Sequence, residues 1–142
     1  MESFKTFAIS ASGMSAQQAR LEAAALNLAN MNTSIAPGTA GFQPLKAVIH
    51  AARPSFAGVL DRSGPALLPK AELLPQGGVT IRTAYEPGHP DADAEGLVSY
   101  PAVDHTQEMI TVMAALRAYE ANLAALETTR TMALKALDIG SP

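Results

Sequence analysis

The stretch DHTQEMITVMAALRAYEANLAALETTRTMALKALD, residues 104–138, decides the architecture. Within it Met109, Val112, Leu116, Tyr119, Leu123, Leu126, Arg130, Ala133 and Leu137 recur in steps of three and four, with no Gly or Pro between them. That spacing is the period of a helix carrying a heptad stripe. Asp104 predicts the start, because its carboxylate can cap the first turn while Gln107 stands where a capping-box side chain reaches back. The helix is expected to end near Asp138, before Gly140. Arg130 is the one charged residue in the stripe, and Ile110, Met113 and Met132 widen the apolar surface beyond a two-stranded seam. A helix with so broad a stripe needs more than one neighbour.

The other end of the chain repeats the pattern. Phe4, Phe7, Ala11, Met14, Gln18, Leu21, Ala25 and Leu28 again alternate in threes and fours, so a second long helix is predicted from Phe4 to about Asn30, with Ser3 as its cap. Gly13 costs helix stability near its middle, and Gln18 is a polar residue in the stripe. At 1.5 Å per residue this helix reaches roughly 40 Å.

Between the helices the character changes. Nearly all the Pro and most of the Gly fall between Met31 and Tyr100, including Ala36-Pro37-Gly38, Gly77-Gly78 and Glu86-Pro87-Gly88-His89-Pro90. Turns dominate such a segment. Three runs, Leu45 to His50, Gly78 to Ala84 and Gly96 to Tyr100, carry β-branched or aromatic residues and read as strands of a small sheet or hairpin. Ser55 to Leu74, punctuated by Pro65 and Pro69, reads as an irregular loop. The expected fold is mainly α. Two long terminal helices pair as an antiparallel, coiled-coil-like hairpin, with a small β-containing, Pro/Gly-rich middle. Residues 1–32 and 102–142 then form one discontinuous helical domain, and 33–101 a β/loop insert.

Composition sets the limits on function. The chain has 142 residues and is 48% hydrophobic, yet much of that is alanine, only 5% is aromatic and Trp is absent, so a single large core is not expected. Small apolar residues suit close helix-to-helix approach, within the chain or between copies. A net charge of -3 supplies no basic field for nucleic acid or for a membrane surface. Absence of Cys excludes disulfides and thiolate metal sites. The first ten residues lack a basic n-region followed by a continuous apolar run, so no cleaved signal peptide is expected, and no stretch approaches the roughly 20 apolar residues of a transmembrane helix.

Chemistry-bearing patterns are sparse. Asp91, Asp93 and Glu95 alternate but lack the spacing of a calcium loop, and read as a solvated acidic loop. His50, His89 and His105 have no partners at metal-ligand spacing, and the serines form no nucleophile elbow. Catalysis, cofactors, metals and small-molecule substrates are therefore not expected. Asn27 and Asn30 close the first helix either as groups that hydrogen-bond across subunits or as terminators capping its last carbonyls. A chain whose apolar surface lies on two terminal helices pairs them and presents the remaining faces to other subunits, and heterologous contacts that do not close generate tubes or filaments.

Two segments resemble a known family. Ala24-Ala25-Leu26-Asn27-Leu28-Ala29-Asn30 is similar to the signature at the end of the first helix of flagellar rod, hook and related axial proteins. More specific are Tyr85 through Gly96, then Glu108-Met109, then Arg117-Ala118-Tyr119-Glu120-Ala121-Asn122, and finally Ala133 through Gly140. These resemble the proximal-rod members of the flagellar basal-body rod proteins. The likeness covers about the first thirty residues and the last sixty, with Met31 to Thr39 longer than the turn such proteins usually carry. It implies a structural, non-enzymatic subunit of the flagellar basal body, in the periplasm. Such a subunit polymerises with itself and other rod proteins and is delivered by the flagellar type III export apparatus. The implied assembly interface is Phe4, Phe7, Ala11, Met14, Leu21, Asn27, Leu28 and Asn30 on the first helix. On the last it is Met109, Val112, Leu116, Arg117, Tyr119, Asn122, Leu123, Leu126 and Leu137. Another axial protein of the rod or hook, or a free-standing helical adaptor, is the alternative that the same helices allow.

Overall fold

A computed structural model describes residues 2–50, 68–78 and 80–140, the side chains of residues 2–5 and 140 excepted. Helix α1 (Glu2–Asn30) and helix α2 (His105–Gly140) enclose four short strands in the sequence, β1 (Leu45–His50), β2 (Lys70–Pro75), β3 (Ile81–Tyr85) and β4 (Leu97–Pro101). At 29 and 36 residues, the helices are about 44 and 54 Å long. Asp104 caps α2 as its sequence position predicts, its Oδ1 accepting the backbone N–H groups of Thr106 at 2.9 Å and Gln107 at 3.3 Å. The helix runs to Gly140, two residues past the expected stop.

The strands form two separate antiparallel pairs, β1 with β2 and β3 with β4. In the first, Leu45 faces Pro75 and His50 faces Lys70; in the second, Ile81 faces Pro101 and Tyr85 faces Leu97. Lys70–Pro75 corrects the reading of Ser55 to Leu74 as loop throughout. Its Lys-Ala-Glu-Leu-Leu-Pro run has weak intrinsic strand preference, and pairing with β1 supplies what local propensity does not. The part of that expected loop within 55–67 lies outside the described residues. The third expected strand, Gly78 to Ala84, begins later than predicted, at Ile81.

The β1–β2 ribbon packs on α1. The strap leading from α1 to β1 lies along β4: the Ile35 N–H donates to the Ser99 carbonyl at 2.8 Å, and the Ser34 hydroxyl donates to the Asp91 carboxylate. Val98, Tyr100 and Pro101 are buried beneath this arrangement. Tyr100 Oη donates to Glu86 at 3.2 Å, and the Arg82 guanidinium sits 5.3 Å from the ring centroid. Partial burial, then the Glu86 hydrogen bond and its negative charge, raise the phenol above its ordinary pKa.

The acidic loop folds by its own side chains. Asp93 Oδ1 accepts the N–H groups of Glu95 at 2.9 Å and Leu97 at 2.8 Å, closing the turn into β4. Asp91 is engaged by Ser34, as above. No group of metal-ligating side chains occurs among the described residues, and none of the described helices is long and apolar enough to cross a membrane.

Candidate assembly interface

Asn27 joins three elements, α1, β1 and α2. It is 1% exposed, and its Nδ2 donates both to the Leu45 carbonyl and to Glu108 Oε1, each at 2.9 Å. Its Oδ1 accepts the Leu45 N–H at 2.7 Å. One amide thus mimics a neighbouring strand toward the first residue of β1 and ties it to the first turn of α2. The Glu108 carboxylate, in the first turn of α2, is also favoured by the positive end of the helix dipole. Asn30 behaves differently: its Nδ2 donates to the Leu26 carbonyl four residues back, capping the end of its own helix.

A second contact defines how the helices face. At Gly13 an added Cβ would lie 3.0 to 3.3 Å from the side-chain atoms of Asn122. Asn27 faces Glu108 and Gly13 faces Asn122, so fourteen positions backward on α1 match fourteen forward on α2, and the helices run antiparallel. The residues buried on this line are small or polar: Ser10, Ala16, Ala23, Ala24 and Asn27 on α1, and Ala115 on α2.

This corrects the reading of the apolar stripe as the seam between the two helices. The line in contact runs one position earlier on both helices, near Gly13, Ala24 and Asn27 on α1 and Glu108, Ala115 and Asn122 on α2. One residue is about 100° of helical rotation. Small side chains let the axes approach closely, and that same rotation turns the long side chains of the stripe to the flank. Gly13 is therefore where a neighbour comes in, beyond its cost in helix propensity.

The predicted interface residues divide accordingly. Phe7, Met14, Leu21, Leu28, Val112 and Leu126 are half-buried; Ala11, Met109, Leu116, Arg117, Leu123 and Leu137 are exposed. Tyr119 is also exposed, flanking the helix contact. Among the described residues the ion pairs are His50–Glu72 and His89–Asp91, and Arg117 is in neither. Phe4 lies in α1, its side chain outside the described residues. Ile110, Met113, Leu134 and Ile139 extend the exposed apolar surface of α2, and Leu137 reaches 70% exposure. An exposed apolar surface of this extent on one helix is characteristic of a surface that another protein covers.

The Gly-Ala seam was not singled out by the sequence, and Glu108 entered only through its likeness to a family motif, not as a partner of Asn27. The available signal was a line one position ahead of the heptads, small or polar on α1 at Ser10, Gly13, Ala24 and Asn27 and carrying Ala115, Ala118 and Ala125 on α2, masked because periodicity weighs large side chains most.

Comparison with known proteins bears on what this surface does. Residues 7–34 match the family described as Flagella basal body rod protein, and residues 94–139 the family described as Flagellar basal body rod FlgEFG protein C-terminal. The chain is 32% identical to the flagellar basal-body rod protein FlgC of Bacillus subtilis, over 99% of each chain. It is 35% identical to FlgC of Escherichia coli O6:H1 over 94% of this chain and 95% of the relative, and 34% identical to that of Salmonella typhimurium, with the same coverage.

Proposed function

The chain belongs to the flagellar basal-body rod protein family, a structural and non-enzymatic family, and from that premise we propose that it polymerises into the proximal rod through its two helices. It is a structural subunit of the flagellar basal-body rod, and assembly with other rod components follows from the family. In this reading α1 and α2 act as a coiled-coil-like hairpin, residues 1–32 and 102–142 forming one helical domain with 33–101 as its insert. The rod crosses the periplasm as the drive shaft, and the subunit reaches it through the type III export apparatus. Neighbours are copies of this chain and other rod proteins.

The observation that carries the proposal is the exposed apolar flank of α2, from Met109 and Met113 through Leu116 and Leu123 to Leu137, alongside a seam closed by alanine. Pairing the helices leaves that surface in water, and a neighbouring subunit removes it at about 25 cal/mol per Å². Phe7, Met14, Leu21 and Leu28 contribute from α1, with Val112 and Leu126 at the edge of the seam. Asn27 serves the interface indirectly, by holding α1, β1 and α2 in one geometry.

Leu123→Asp and Leu28→Asp test this. Each places a charge where a neighbour is expected to bury the surface, so rods should fail to assemble and motility should be lost. Since Leu123 is 40% exposed in the single chain, the Leu123→Asp monomer should keep its helix content by circular dichroism. Normal swimming by cells carrying either variant alone as their only copy contradicts the proposed interface.

A further inference from the structure

At the end of the helix pair where Asn27 meets Glu108, a cleft of about 530 Å³ opens between α1, α2 and the start of β1. Its walls include Ala24, Ala47, Ala114 and the exposed Ile110, with Arg20 and Lys46 among its lining residues. Neither cation forms an ion pair among the described residues; Arg20 reaches only Gln17, at 3.4 Å. Glu108 also lines the cleft, its carboxylate already held by Asn27. The opening thus mixes alanine and isoleucine with polar side chains, and its two cations outnumber the single Glu108 carboxylate, which the neutral Asn27 amide holds but does not neutralise.

The opposite end of the pair presents the complement. Continuing the register of the two helix contacts sets Glu2 across from about Ala133, so the last two turns of α2 pass beyond α1. Leu134 and Leu137, three residues apart, share one face there and are 56% and 70% exposed. Lys135 stands about 200° from Leu137, on the far side. The last turn carries no basic residue to offset the negative end of the helix dipole.

We propose that the cleft receives the C-terminal tip of α2 from an axially adjacent rod subunit of the same build. Leu134 and Leu137 enter against the alanines, and the negative helix end meets Arg20 and Lys46. The inference rests on the helix-mediated assembly proposed above and names its longitudinal contact. A cleft at one end and a tip at the other make a heterologous joint that repeats without closing. From the cleft near Thr111 to the tip near Leu137, α2 advances roughly 40 Å, which sets the axial offset between such neighbours.

A photo-crosslinking residue, p-benzoylphenylalanine, placed at Ile110 and separately at Lys46 of the full chain in flagellated cells reads the contact directly. Both positions are exposed, so neither probe disturbs the core. After irradiation of assembled basal bodies, mass spectrometry should find the cleft joined to the α2 tip of a second copy, or to the aligned segment of another rod subunit. Yield should be at least tenfold above a probe at Thr83, on exposed β3. Products with any other segment, products within one chain, or assembled rods without product overturn the proposal and leave helix-mediated assembly standing; motile Leu123→Asp and Leu28→Asp cells defeat that broader reading instead. If a probe in the cleft stops assembly, one at Leu137 reads the same joint from the other side. It should then capture peptides containing Arg20, Lys46 or Ile110, and capture of other peptides refutes the joint.

Discussion

Asn27→Ala and Asn30→Ala make the same chemical change three residues apart, and the structure assigns them very different costs. Asn27 makes two hydrogen bonds with the Leu45 backbone and one with the Glu108 carboxylate from a position 1% exposed. Two neutral bonds at about 1 kcal/mol and one charge-assisted bond at about 1.5–3 kcal/mol give roughly 3.5–5 kcal/mol. Leu45 and Glu108 both line the cleft, where water can reach them after truncation. Rehydration lowers the expected loss to about 2–4 kcal/mol. Asn30 forms one bond to its own helix, in an exposed setting, and its truncation should cost about 0.5 kcal/mol or less. Urea unfolding of the monomer, followed by circular dichroism, separates the two. With a slope of about 1.5 kcal/mol/M, Asn27→Ala should lower the midpoint by roughly 2 M and Asn30→Ala by well under 0.5 M. Equal midpoints for the two variants would refute the claim that Asn27 clamps three elements. Asn27→Asp sharpens the test. It replaces donors with a second carboxylate against Glu108 and leaves the Leu45 carbonyl without its donor, so at neutral pH the defect should exceed that of Asn27→Ala.

Gly13→Leu should separate α1 from α2 at Asn122 and cost about 1–3 kcal/mol in thermal or urea unfolding, while Gly13→Ala combined with Asn122→Ala should match or exceed the parent by up to about 1 kcal/mol, since Ala favours the helix and the obstruction is gone. Gly96, at φ 79° with an added Cβ 3.1 Å from Pro87 and Tyr85, should tolerate Ala far less well than Gly78, at φ 92° in open space; strain alone predicts about 1 kcal/mol at Gly78 and roughly twice that at Gly96 in the same assay. The raised pKa of Tyr100 means that the folded state holds its proton more tightly than the unfolded chain, so stability present below pH 10 should decline as pH rises through the folded value. Tyr100→Phe should remove that alkaline dependence, as read by midpoints between pH 8 and 11; an unchanged slope would contradict the assignment.

The helices were legible because their cause is local. Heptad spacing, an Asp104 cap and long stretches without Pro specify them before any tertiary contact forms, and β1 and β4 were legible from their β-branched and aromatic residues. The signature ending in Asn30 and the Tyr85 to Gly96 motif also pointed to the family from sequence alone. β2 was not legible, because Lys70–Pro75 becomes a strand through the partner that faces it.

The seam was the larger surprise, and its origin is physical. Periodicity reports which side chains are apolar, and on both helices it selects the large ones. Which face meets the partner depends on how closely two backbones can approach, a property of Gly13, Ala24 and Ala115 together with the neighbours they admit. Asn27 shows the same division. Sequence could place it at a helix end, where its amide has local partners within reach, as Asn30 does. Only the tertiary structure brings Leu45 and Glu108, 18 and 81 residues away along the chain, to the two sides of one amide. Elements and family were therefore determined by local chemistry written along the chain. The face each helix buries, and the apolar face it leaves for a neighbour, were decided by contacts between residues far apart in it.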